Sequence, residues 1–208
     1  MENEEVIVNN AKKDPEAFGR LYDMYYQPVF GFLLSRTGNV EIAKDLTSET
    51  FFQALKNICK YKYKGKPFKS WLFAIAVAQV GNYYRGRAKY ITVLADECPE
   101  LVAQDSYLSD YNIIKDEEDG EIKERVLKLR SLMKQLNQKQ QTILTLRYFS
   151  HQTIPEISNV LKMKEGTVKS HIHRALKKLN VLMVEENEPN YESAKSAQNR
   201  RAFGISRI

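Results

Sequence analysis

Two cysteines in 208 residues, Cys59 and Cys98, are too few for a disulfide framework. Neither falls at metal-ligand spacing with the three histidines, so both read as reduced thiols of a cytosolic chain. Long apolar runs are missing too: no stretch approaches the roughly 20 residues that a membrane helix needs, which excludes membrane insertion. Met1 to Asn10 is acidic, whereas a secretory leader is basic and then apolar. A soluble, cytoplasmic protein is expected. The nine glycines form no phosphate-cradling loop and no nucleophile elbow. His171 and His173 lie two positions apart, so a helix turns them about 200° from each other and they cannot share a metal. Asp45 and Glu49 have no third ligand nearby to make a hydrolase site. The sequence argues for no catalysis and no cofactor.

What is present is charge, unevenly placed. The chain carries a formal +6 from 32 basic and 26 acidic residues. Residues 1–90 hold a net +5, residues 91–131 a net −6, and residues 132–208 a net +7. Two anion-binding bodies joined by a tether that repels anions would have this pattern.

The periodicity is helical throughout, and no alternating strand pattern occurs. The expected fold is all-α, with two small helical domains joined by an acidic linker. Asp14-Pro15 predicts a helix start. Phe18, Leu21, Tyr22, Tyr25, Val29, Phe32 and Leu33 then recur at steps of three and four. Pro28 should kink that helix, and Thr37-Gly38-Asn39 should end it. A second helix from Asn39 carries Ile42, Leu46, Phe51, Ala54, Leu55 and Ile58. A third runs from about Pro67 into the Arg85–Lys89 region. Between them lies Lys60-Tyr61-Lys62-Tyr63-Lys64-Gly65-Lys66, a basic loop interleaved with tyrosines. The boundaries read as 12–90 for the first domain, 91–130 for the linker, 131–184 for the second domain and 185–208 for a loose tail. Asp116 to Lys128 is a further helical candidate.

The most informative stretch is Thr153 to Lys178. Thr153 can cap a helix that has Pro155 in its first turn and Ile157, Val160 and Leu161 on one face. Lys162-Met163-Lys164 makes a tight turn. The next helix turns Val168, Ile172, Ala175, Leu176 and Leu179 inward, and Gly166, Lys169, Ser170, His173, Arg174 and Lys177 outward. This is a helix-turn-helix pattern, which sets one helix in the DNA major groove. An ordinary helical hairpin with a solvated basic face has the same periodicity.

The run Leu136 to Phe149, then Ile154-Pro155-Glu156-Ile157, then Gly166-Thr167-Val168-Lys169-Ser170 with Arg174-Ala175 and the paired lysines Lys177-Lys178, resembles the C-terminal domain of the extracytoplasmic-function bacterial sigma factors. Ala17-Phe18 with Leu21-Tyr22, then Ala43 to Ala54, Phe68 to Ala76, and Asn82-Tyr83-Tyr84-Arg85 resemble that family's first domain, in the same order. The resemblance runs from about Lys12 to Leu182. A response regulator would open instead with a βα-repeat receiver, which is absent.

The resemblance implies a non-enzymatic initiation factor that binds core RNA polymerase and promoter DNA; an anti-sigma factor is a further partner the family allows for. Asp45 and Glu49, one turn apart, match positions that dock on polymerase; Ser48 stands where a glutamine is usual. Tyr63 and Phe68 match the segment that captures a base flipped out at the minus-ten element, where an aromatic stack is worth about 1–3 kcal/mol; Phe68 fits equally as a core residue at the start of its helix. Asn82 and Arg85 match contacts to the duplex just upstream, although an arginine-asparagine pair common in the family is absent near Val77-Ala78. Lys169, Ser170, His173, Arg174 and Lys177 match the surface that reads the minus-thirty-five element. The linker resembles the family's tether, which threads towards the polymerase active centre. The rival readings are a conventional helix-turn-helix regulator that binds duplex DNA alone, and a carboxylate-dependent hydrolase.

Overall fold

Helix ends in this chain are set by a few polar side chains and one glycine. The computed structural model describes residues 4–62, 67–97 and 128–187, and among them there is no strand. The N-terminal half contains α1 (Glu4–Ala11), α2 (Phe18–Thr37), α3 (Val40–Asn57) with a single 3-10 turn at Ile58–Lys60, and α4 (Phe68–Glu97). The C-terminal half contains α5 (residues 128–134), α6 (Gln138–Leu144) running into a π-turn at Thr145–Phe149, α7 (Ile154–Leu161) and α8 (Glu165–Asn187).

The α2–α3 corner lies where the sequence predicts it. Gly38 adopts φ 69°, the left-handed conformation that ends a helix, and its N–H donates to the Leu34 carbonyl at 2.8 Å. Asn39 then caps α3 by accepting from the Ile42 N–H at 3.0 Å. Two threonines inside α3 would ordinarily weaken a helix. Their hydroxyls donate back to carbonyls one turn earlier, Thr47 to Ala43 at 2.6 Å and Thr50 to Leu46 at 2.7 Å, so neither is left unpaired in the interior. Helix α2 continues uninterrupted through Pro28.

The first helix start is a correction. Asp14 caps no helix: its carboxylate accepts from the Glu16 N–H at 2.9 Å within a turn, and α2 begins at Phe18. The turn is needed because the acidic N-terminus folds as α1 and lays Ile7, Val8 and Ala11 onto the core. Glu4 accepts from the Tyr25 hydroxyl and, at 3.4 Å, from the Phe68 N–H at the start of α4. Burial, then this hydrogen bond, raises the Tyr25 pKa above its ordinary value of 10.0. Helix α4 also outruns expectation, continuing to Glu97 inside the stretch read as linker. Helix α8 likewise reaches Asn187, inside the stretch read as tail. Cys98, the helix predicted at Asp116 to Lys128 (apart from its last residue), residues 98–127 of the linker and residues 188–208 of the tail lie outside the described residues.

The core of the N-terminal half joins Leu21, Val29, Phe32 and Leu33 of α2 to Ala43, Phe51 and Ala54 of α3 and to Phe68, Leu72, Phe73 and Ala76 of α4. Each large apolar side chain so buried stabilises the fold by about 1.5–3 kcal/mol. Residues of the C-terminal half, including Ile143, Leu146, Ile157 and Val160, belong to the same packed cluster. A second, smaller cluster holds Leu132, Leu136, Leu144, Ala175 and Leu179. The two helical domains are thus in direct contact, with α2 against the π-turn and α4 against α7.

The Gly38→Ala variant should lose about 1 kcal/mol of stability, because a Cβ at φ 69° is strained whatever space surrounds it. Urea unfolding should show a lower midpoint with an unchanged slope.

Candidate nucleic-acid interface

The helix-turn-helix is built from two caps and one left-handed residue. Thr153 accepts from the Glu156 N–H, while the Glu156 carboxylate accepts from the Thr153 N–H at 2.6 Å and from its hydroxyl at 2.8 Å. This reciprocal box, with a proline in the first turn, starts α7. Lys162 takes φ 52° and reverses the chain, and the Ser158 hydroxyl donates to the Met163 carbonyl across the turn. Ile157, Val160 and Val168 are buried where α7 meets α8.

With that face of α8 committed to packing, its other face carries Lys169, Ser170, His173, Arg174 and Lys177, all exposed. The structure brings onto one face all five residues expected to read the minus-thirty-five element. Ser170 donates to the Gly166 carbonyl at 2.8 Å, and Arg174 uses only its Nε, on the Ser170 carbonyl at 3.2 Å. Among the described residues no carboxylate pairs with Lys169, Arg174 or Lys177. At neighbouring His171, burial first, then the positive charges of Arg174 and of Lys139 on α6, holds the pKa below 6.5. The surface is suited to bind an anion, and its Arg, Lys and Ser donors suit base edges and phosphates alike.

Two neighbours differ from expectation. Leu176, assigned inward, is 42% exposed, because it follows Ala175 and only one of that pair can face the α5–α6 cluster. Lys178 does not join the open face; its ammonium donates to the Gln135 carbonyl at 2.7 Å and ties α8 to the end of α5.

On the N-terminal half, Asn82 and Arg85 are exposed one turn apart on α4, with Arg85 donating to the Asn82 side chain at 2.5 Å. Arg87 donates to the Tyr83 hydroxyl at 3.1 Å on the same helix. Tyr63 lies outside the described residues. Phe68 is a correction: it is fully buried among Tyr25, Tyr61 and Trp71, with ring centroids 5.4–5.9 Å away, so no face of it is open to a base. The cause is its place as first residue of α4, beneath α1. It anchors one foot of the basic loop, and buried Tyr61 anchors the other, with the Lys12 ammonium 5.7 Å from the Tyr61 ring centre. Trp71 packs in this cluster.

Asp45 and Glu49 are both exposed on α3, Glu49 accepting from the Gln53 amide at 2.8 Å. Sequence reasoning missed their apolar neighbours: Phe52 is 57% exposed and Leu55 39%. The signal was the Phe51-Phe52 pair. Phe51 is buried against Phe18 and Tyr22, which forces Phe52 outward beside the acids. No cluster of metal-ligating side chains occurs among the described residues. None of the helices is long and apolar enough to cross a membrane, again among those residues.

A chain whose described residues hold only helices and turns, and which presents an unpaired cationic helix from a helix-turn-helix, has the architecture of a DNA-binding protein. Residues 21–90 match the model of Sigma-70 region 2, and residues 127–179 match that of Sigma-70, region 4. The ECF RNA polymerase sigma factor SigM of Bacillus subtilis is 31% identical over 162 residues, covering 78% of this chain and 92% of SigM. The ECF sigma factor BldN of Streptomyces coelicolor is 29% identical over 184 residues, and the match spans 88% of this chain but 66% of BldN. Among solved structures, CnrH in complex with the cytosolic domain of CnrY superposes with a TM-score of 0.63 at 17% identity, covering 88% of this chain and 97% of CnrH, a likeness of fold. The chain belongs to the sigma-70 family, in its extracytoplasmic-function subfamily.

The Glu156 carboxyl feels two opposed influences. Burial raises its pKa, but the Thr153 hydrogen bonds and Lys69, 3.5 Å away, together outweigh burial and hold it below 4.5. A depressed carboxyl pKa stabilises the fold above its unfolded value and ceases to do so as pH falls through the folded value. Glu156→Gln should therefore cost about 1 kcal/mol at pH 7. Thermal melts of variant and parent should converge as the pH is taken below 4.5.

Proposed function

We propose that this protein directs core RNA polymerase to specific promoters and helps melt the minus-ten region. The observation that carries the reading is the face of α8, where three cations without carboxylate partners flank Ser170 and His173 on a helix presented by a helix-turn-helix. In this reading Lys169, Ser170, His173, Arg174 and Lys177 engage the minus-thirty-five element. Asn82 and Arg85 meet the duplex beside the minus-ten element. Tyr63, set in a loop with lysines on both sides, stacks the base that leaves the duplex there. Phe68 is withdrawn from that role, being buried at the start of α4.

Asp45 and Glu49 form the polymerase-docking surface, now enlarged by Phe52 and Leu55. An apolar centre rimmed by acids suits a partner with basic residues around an apolar groove. The functional boundaries are those of a first domain at 12–90 and a second at 131–184, with residues 91–130 as the acidic tether. The protein acts in the cytoplasm, where its polymerase is, and has no catalytic role of its own.

Arg174→Ala should lower transcription from a cognate promoter about 5- to 150-fold, the equivalent of the 1–3 kcal/mol carried by a good base contact. In vitro transcription on promoters altered only at the upstream element checks this, because the variant should no longer distinguish them. Asp45→Lys with Glu49→Lys should weaken core polymerase binding by at least tenfold while leaving the helical circular-dichroism spectrum and melting point unchanged. Affinity chromatography with purified core enzyme reads the loss directly.

A further inference from the structure

The exposed face of α3 has a chemical counterpart elsewhere in the chain. Asp45, Glu49, Phe52 and Leu55 follow one another at steps of three and four, so they form one stripe along the helix. The stripe has a direction: two acids come first, and the apolar Phe52 and Leu55 come last. At 1.5 Å per residue it is about 15 Å long. Among the described residues neither carboxylate has a cation partner, because Lys44, next to Asp45 in sequence, is paired with Glu41 at 2.9 Å.

The complementary order stands in residues 200–208, Arg200-Arg201-Ala202-Phe203-Gly204-Ile205-Ser206-Arg207-Ile208, which hold three arginines and no acid. Here two cations come first, and Phe203 and Ile205 follow. In extended backbone alternate residues share a side at about 3.3 Å per residue, so Arg201, Phe203 and Ile205 would line one side within about 13 Å. Laid along α3 in the same direction, the arginines meet Asp45 and Glu49 while Phe203 and Ile205 meet Phe52 and Leu55. Arginine suits this pairing, because its planar fork can hold a carboxylate through two hydrogen bonds.

Two other destinations fit less well. Val181, Met183 and Val184 are exposed on α8, but the open face of that helix is cationic and repels arginines. DNA phosphates would take the arginines and leave Phe203, Ile205 and Ile208 without apolar partners. The distance is no obstacle. The stretch from Asn187, where α8 ends, to Arg200 spans on the order of 40 Å at ~3.3 Å per residue. A packed body of roughly 150 residues has a radius of gyration of about 15 Å and is about 40 Å across.

We propose that residues 200–208 dock on the Asp45–Leu55 face of α3 in the same molecule and shield it until core polymerase displaces them. The proposal rests on the reading of that face as the polymerase-docking surface and adds its regulation by the chain's own basic segment. A short tether holds its ligand at an effective concentration of about 1 mM. A contact with a dissociation constant of about 0.1–1 mM then lowers the apparent affinity for polymerase about 2- to 10-fold.

The test uses the full chain, the same chain carrying Arg200→Glu, Arg201→Glu and Arg207→Glu, and a fluorescent peptide of residues 200–208. The charge-reversed chain should melt at the parent's temperature and bind purified core polymerase about 2- to 10-fold more tightly. Fluorescence anisotropy should show the peptide binding the charge-reversed chain, and losing that binding when Asp45→Lys and Glu49→Lys are added. Equal core affinities, or peptide binding indifferent to positions 45 and 49, would overturn the shield while leaving the polymerase reading intact. Weaker promoter binding by the charge-reversed holoenzyme at unchanged core affinity would assign the segment to DNA and overturn the shield as well. A parent that sediments as a dimer beside a monomeric charge-reversed chain would place the segment on a second copy and overturn docking within one molecule. Peptide binding that depends on Asp45 and Glu49, with no core binding by any chain, would overturn the polymerase reading and the shielding role together.

Discussion

The constraint on which the rest depends is that α8 must satisfy two surfaces at once. Val168, Ala175 and Leu179 are buried, the first beneath α7 and the others with α5 and α6. That burial fixes the rotation of the helix, and the rotation leaves Lys169, Arg174 and Lys177 on the far side without acids. Such a face gains little from the fold it belongs to. It becomes favourable only against an external polyanion, where each neutralised phosphate releases condensed counterions. The caps at Thr153 and Glu156, the left-handed Lys162 and the tie from Lys178 to Gln135 all serve to hold that rotation.

A parallel logic governs the N-terminal half. Phe51, Ala54 and Thr50 commit one side of α3 to the core, which displays Asp45, Glu49, Phe52 and Leu55 on the other. Acids around apolar groups on one helix and cations on another give the chain two faces of opposite character. One suits a protein surface and the other suits DNA.

Most of the fold was legible from local pattern. Gly38-Asn39, Thr153 with Glu156 and the periodic apolar residues of α2, α3 and α8 state their own geometry. Where two apolar residues adjoin, periodicity assigns the pair to a face but tertiary contacts choose between them. Leu176 and Phe52 both emerged outward for this reason. The five positions on α8 were legible because exposure there follows directly from helix phase. Phe68 was legible only as two alternatives, a stacking ring or a core residue at its helix start; α1 settles it as core, and the acidic Glu4–Ala11 segment gives a weak helical signal until Ile7, Val8 and Ala11 find the core. The hydrogen bonds from Arg36 to Gln138 and Gln141 were illegible in principle: the partners lie more than a hundred residues away, and a lone arginine at a helix end reads as an ordinary favourable charge.

The most direct test of the central claim is a run-off transcription assay with purified core polymerase on genomic promoter fragments, read beside a gel-shift of the same fragments without polymerase. The account predicts discrete transcripts only when chain and core enzyme are both present, with no specific shift by the chain alone at the same concentration. Specific, high-affinity binding by the isolated chain, together with transcription by the core enzyme that is indifferent to its presence, would contradict it.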